Sequence, residues 1–234
     1  MMTKQPWRYV ENPKIRSMRV RSWFYAVSQA SGLTVGELEK EFREEGSAQA
    51  PRSCIWNKYK RGEVVPRSRF QGDGRPKLVE RVEARYPGTE KWLFSPLWRL
   101  ADEAPMEMSE IRRIYEGLPM KIRNFFILPP ELASEVFWRH ELLDIEPVLR
   151  HMLASRTGDD LLAGLAMVRE AELVQSVKLY QYGVEITKSI LRSLDWDELE
   201  GTTIPMEFGE ILRRHWAKGL LINNKVNNQI KLSQ

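Results

Sequence analysis

Residues 53–70 read SCIWNKYKRGEVVPRSRF. The stretch opens on a hydroxyl residue, and a Ser53 side chain suits a helix start because its oxygen accepts an orphan backbone N–H. Gly62 suits the left-handed stop that ends many helices, and Pro66 cannot continue one. Between these signals Ile55, Trp56 and Tyr59 share one side of a helix, while Arg52, Asn57 and Lys58 share the other. The spacing predicts a helix over residues 52–61 with an aromatic inner face and a basic outer one.

The flanking sequence supplies helices for that inner face to meet. Over residues 16–31, Met18, Trp23, Val27 and Ala30 recur near helical spacing, and SG at 31–32 ends the run. Thr34 and Glu37 form a capping box at the head of a helix over 34–44, whose Val35, Leu38 and Phe42 share a face. REEGSAQAP, residues 43–51, reads as a loop. Downstream, PRSRFQGDGRP is a basic loop. PKLVERVEARY, from Pro76, places Leu78, Val82 and Tyr86 on one side of a further helix. The aromatics of PGTEKWLFSPLW, residues 87–98, close the base of this part.

Three helices in this order, with LT at 33–34 opening the second, resemble the Cro/Xre-type helix-turn-helix family. In that family the third helix carries a buried aliphatic residue, an aromatic three positions on, a glycine three further and a proline four further. Trp56, Tyr59, Gly62 and Pro66 fall on that spacing. The likeness covers about Arg16 to Pro87. It departs where the family has a tight turn between its second and third helices and this chain has REEGSAQAP. The resemblance implies a DNA-binding unit working as a symmetric dimer on palindromic half-sites.

The residues support the same expectation on their own. An α-helix fits the major groove of B-DNA, where Asn pairs with adenine and Arg or Lys with guanine. Arg52, Ser53, Asn57 and Lys58 are therefore the candidate base-reading residues. Lys60, Arg61, Arg67, Arg69, Arg75 and Lys77 are the candidate phosphate contacts. Between Arg52 and Lys77 there are eight basic and two acidic residues. Five basic groups on phosphate would give a log-affinity against log-salt slope of about −4 to −5.

The whole chain of 234 residues is long enough for one large domain or two small ones. Residues 1–100 hold 20 Lys and Arg against 11 Asp and Glu; residues 101–234 hold 16 against 21. A basic front joined to an acidic back suggests two tasks, one of them facing an anion. The single cysteine, Cys54, excludes an internal disulfide and suits a reducing cytoplasm. It stands beside Arg52 at the helix start, where a redox role is conceivable, although a small buried side chain is the simpler reading. Neither a signal peptide nor a membrane-length apolar run is visible.

Beyond ADEAP, residues 101–105, the pattern is helical. Leu132, Val136, Phe137 and Leu143 form a candidate core face, and Pro147 interrupts or restarts their helix. Residues 158–194 form the longest helical pattern, with Asp159 or Asp160 as its cap and Gly183 as a bend. Its stripe of Leu161, Leu165, Val168, Leu173, Val177, Tyr180 and Ile186 suits either a dimer seam or the core of this part. No cofactor or metal is expected: His140, His151 and His215 lack partners at ligand spacing. No nucleophile elbow, phosphate loop or dinucleotide fingerprint is present, so no catalytic residues are assigned. GDGRP, residues 72–76, is too short for a phosphate cradle, and the carboxylates of DWDELEG, residues 195–201, read as a solvated loop.

The expected fold is mainly α, with an N-terminal helix-turn-helix domain over 16–100 and an acidic helical domain over 106–222. An arm, 1–15, and a polar tail, 223–234, flank them. The expected function is sequence-specific regulation of transcription on double-stranded DNA, as a homodimer. The alternative is a DNA-binding accessory or antitoxin-like subunit of a phage-defence or mobile-element system, whose back domain grips a protein partner.

Overall fold

The computed structural model describes residues 11–43, 54–68, 76–129, 131–132, 145–194, 196, 199 and 201–217. Among them the fold is mainly α, and no residue is in a strand. No helix among the described residues is long and apolar enough to cross a membrane. The chain divides into two compact units, one of residues 1–104 with 196–208, the other of 105–195 with 209–234.

The first unit is organised on α1 (Pro13–Ser31). This helix starts three residues before the sequence pattern places it. Asn12 accepts the Lys14 N–H at 2.9 Å, and proline stands at the first turn, where a missing N–H costs nothing. Gly32, at φ 67°, ends it. Met18, Trp23 and Val27 are buried as the periodicity requires, but Ala30 is exposed in the last turn.

The predicted capping box heads α2 (Val35–Glu41): Thr34 N–H donates to Glu37 at 2.8 Å, and Glu37 N–H donates back to Thr34 Oγ1 at 3.4 Å. Next come α3 (Ile55–Lys60), α4 (Leu78–Arg85), α5 (Lys91–Phe94) and α6 (Leu97–Ala101). Val20, Trp23, Val27, Leu38, Trp56, Val79, Val82 and Leu93 are among the residues of a core shared by α1 to α5. Residues 196–208, read from sequence with the back domain, return to this unit. Trp196 lies 6.2 Å from Trp92, and Phe208 lies edge-on to Trp98 at 6.0 Å. Glu207 accepts two bonds from Arg21, at 3.1 and 2.5 Å.

The second unit contains α7 (Met108–Glu116), α8 (Met120–Phe126), α9 (Ile145–Ser155), α10 (Gly158–Val174) and α11 (Val177–Ser193). A further helical run covers 204–217, with 209–217 in this unit. Pro147 is the third described residue of α9. Val136, Phe137, Leu143 and His140 lie outside the described residues, and Leu132, expected in the core, is exposed.

The long pattern of 158–194 is two helices. It breaks at Gln175, which adopts a left-handed φ of 54°, and Ser176 caps α11. The expected bend at Gly183 is instead a close approach. A Cβ there would lie 3.1 Å from Gly164 O, and one on Gly164 would lie 2.8 Å from Thr187 Oγ1. Thr157, not an aspartate, caps α10, with Asp160 as its reciprocal partner three positions on. Leu161, Leu165, Val168, Tyr180 and Ile186 are buried inside this unit, while Leu173 is exposed. Those five residues therefore belong to the unit's own core, while Val177 is half-buried.

Candidate nucleic-acid interface

A six-residue helix does not hold itself together in water, so α3 depends on what its side chains bury. Trp56 stacks on Trp23 of α1, with ring centres 5.6 Å apart and planes within 16°. Tyr59 meets both indoles edge-on, at 5.5 and 5.7 Å. Phe42 tilts against Trp56 from the end of α2. Offset-stacked and edge-to-face geometries are the ones that aromatic quadrupoles favour. Trp56 and Tyr59 are left 2% and 5% exposed, and Ile55 is half-buried against the same core.

The beginning of α3 differs from the expected pattern. The helix starts at Ile55 because Cys54 takes a left-handed φ of 49°, which no regular helix accommodates. Cys54 makes no side-chain capping bond and is exposed, so the buried reading of this thiol is corrected. Arg52 and Ser53 lie outside the described residues, as do Arg69 and Arg75.

The end of α3 is fixed more firmly. Gly62, at φ 70°, lets Glu63 N–H donate back to Lys58 O at 2.9 Å, the six-to-one bond of a left-handed helix stop. The glycine is also pressed against α1: an added Cβ would lie 2.5 Å from Ser17 O and 2.9 Å from Ser17 Cα. The chain then passes the buried Pro66 to Arg67, whose carbonyl accepts Val79 N–H at 3.2 Å. That bond ties the basic loop to the start of α4.

This frame sorts the remaining candidates. Asn57 is half-buried, and Lys58, Lys60, Arg61 and Arg67 are exposed. Lys58, Lys60 and Arg67 make no ion pair with any described residue. Lys77 is half-buried beside α4, its N–H donating to Glu80 at 2.9 Å. Arg61 is paired. Its Nε and Nη2 donate to the two oxygens of Glu63 at 2.5 and 3.1 Å. The Arg61 bond holds the Glu63 carboxyl below its usual range, and Glu63 raises Arg61 in turn. The sequence shows Glu63 only as one acid among eight bases; the turn at Gly62 is what places it on Arg61.

A second polar set, in the other unit, escapes the sequence reading altogether. On α10, Arg169 is buried and donates to Glu172 at 2.8 Å, and His215 Nε2 lies 2.6 Å from Glu172. Tyr115 donates to the buried Glu170 at 2.9 Å. The tetrad REAE at 169–172, inside an otherwise apolar run, is the signal that marks it.

No family model, curated protein or solved structure matches this chain.

Proposed function

We propose that this chain is a cytoplasmic, sequence-specific DNA-binding regulator of transcription that lays the outer edge of α3 in the major groove of duplex DNA. The reading rests on the resemblance to Cro/Xre-type helix-turn-helix proteins and, above all, on the sidedness of α3. The aromatic half of that short helix is spent on its own core. Of the polar half, Lys58, Lys60 and Arg61 are exposed and Asn57 is half-buried, with the exposed Arg67 beyond them. Asn57 and Lys58 then read base edges while Lys60 and Arg67 meet phosphates.

The test is selection of bound sequences from a random duplex pool at stated salt. The expected result is an enriched motif. Asn57→Ala with Lys58→Ala relaxes the motif. Lys60→Ala with Arg67→Ala weakens every sequence alike and flattens the salt slope by about 2. A fourfold variant that shifts duplex mobility as well as the unaltered chain does would refute the assignment. If the regulator works as a homodimer, its seam lies elsewhere than the α10–α11 stripe, which is used inside the unit. Light scattering at micromolar concentration reads that state directly.

A further inference from the structure

Arg61 and Glu63 form a two-pronged ion pair that does little for the fold. The two side chains are 57% and 47% exposed, and pairs so open to water contribute little to stability. Yet the pair is built with some care. Gly62 is held in its left-handed turn against Ser17, and the Glu63 backbone is bonded to Lys58. The carboxylate is thus carried back over the basic end of α3, where it lies within electrostatic reach of Lys58 as well as Arg61.

We propose that Glu63 is an internal stand-in for a DNA phosphate, which Arg61 must exchange when the duplex arrives. This rests on the DNA-binding reading above and names a residue that tunes it. A cation that meets a phosphate normally releases a condensed counterion, and that release drives much of the non-specific affinity. Here the exchange leaves Glu63 without its partner beside an anionic helix. The freed carboxylate recruits a cation from solution, so the Arg61 contact yields no net release. Lys60 and Arg67 carry no such counterweight among the described residues, and Lys58 meets Glu63 through space without an ion pair. Glu63 therefore weakens binding to duplexes of any sequence, and the base contacts of Asn57 and Lys58 decide a larger share of the remaining affinity.

Glu63→Gln in the full chain tests this, with Glu116→Gln as control. Glu116 is also an exposed partner of an arginine, Arg112, but lies in the second unit. Both changes remove one negative charge. Affinity for an arbitrary-sequence duplex is measured by fluorescence anisotropy from about 50 to about 200 mM salt. The expected result is that Glu63→Gln binds more tightly at low salt. Its log–log slope is steeper than that of the unaltered chain by about 0.9, so its advantage shrinks about 3.5-fold across the range. Glu116→Gln leaves the slope unchanged. Equal slopes for Glu63→Gln and the unaltered chain overturn the proposal, and so does an equal shift in both variants, which would make it a matter of net charge. If the unaltered chain binds no duplex even at low salt, the DNA-binding reading itself falls; binding with an unmoved slope removes only the role of Glu63.

Discussion

Gly62→Ala isolates the turn on which the proposed interface depends. Gly62 has φ 70°, a conformation that costs an L-residue about 1–2 kcal/mol. The new Cβ also meets Ser17 O at 2.5 Å and Ser17 Cα at 2.9 Å, both backbone atoms in the first half of α1. Forcing such atoms apart in a packed region costs about 1–3 kcal/mol more. The sum is a loss of about 2–5 kcal/mol from the first unit. Gly88→Ala separates the two parts, because Gly88 has φ 89° but no heavy atom within 4 Å of its added Cβ. It loses only the backbone part, about 1–2 kcal/mol. Ser17→Gly, combined with Gly62→Ala, relieves the hydroxyl but not the two backbone contacts, so rescue is incomplete. Urea unfolding followed by tryptophan fluorescence reads these losses, since Trp23, Trp56, Trp92, Trp98 and Trp196 are in the affected unit. A Gly62→Ala midpoint no lower than that of Gly88→Ala would refute the packing argument.

Trp56→Ala removes the ring shared by Trp23, Phe42 and Tyr59 and is expected to cost about 3–5 kcal/mol, read as a lower denaturant midpoint. Arg169→Ala removes a buried guanidinium from Glu172, which is partly exposed and keeps its contact with His215, and is expected to cost about 1–3 kcal/mol, seen as an earlier loss of helical circular dichroism on heating; an unchanged melt would count against a structural role for Arg169. Glu207 gives a pH test. The bonds from Arg21 hold its carboxyl below the usual range, burial opposes them, and the Thr203 hydroxyl adds to them. A carboxyl depressed in the folded state stabilises the fold above its unfolded value and loses that stabilisation as pH falls through the folded one. Glu207→Gln should therefore be the less stable protein at neutral pH, with the gap closing below about pH 4. Urea midpoints at a series of pH values check it, and a gap that stays constant into acid would contradict the assignment.

The parts of the fold legible in the sequence are those set by local rules. The Thr34–Glu37 box fixes the start of α2, Gly62 fixes the end of α3, and the inward aromatics follow from a spacing of three. Signals of the same local kind were present but read differently. Asn12-Pro13 starts α1 early, and Thr157, three before Asp160, starts α10. Other features depend on distant chain and leave little local trace. Gln175 itself is neither glycine nor proline, and the one local mark of the break is Ser176, which caps α11; α10 and α11 then pack closely at Gly164 and Gly183. Leu132 belongs to an apolar pattern yet is exposed, because periodicity does not say which face finds a partner. At the candidate interface the exposure of Lys58, Lys60, Arg61 and Arg67 was readable, but the pairing of Arg61 with Glu63 was not, because it follows from a turn held by Ser17, 45 positions upstream.

The return of residues 196–208 to the first unit alters how damage to the gene should be read. Trp196, Phe208 and Glu207 supply that unit with two rings and an ion pair from a part of the chain translated about a hundred codons after its helices. A premature stop before residue 196 therefore strips the first unit of that late-arriving packing along with the rest of the chain. A deletion series from the C-terminus would strip packing from both units by the time it passes residue 196, and only internal replacements that spare 196–208 would perturb the second unit alone.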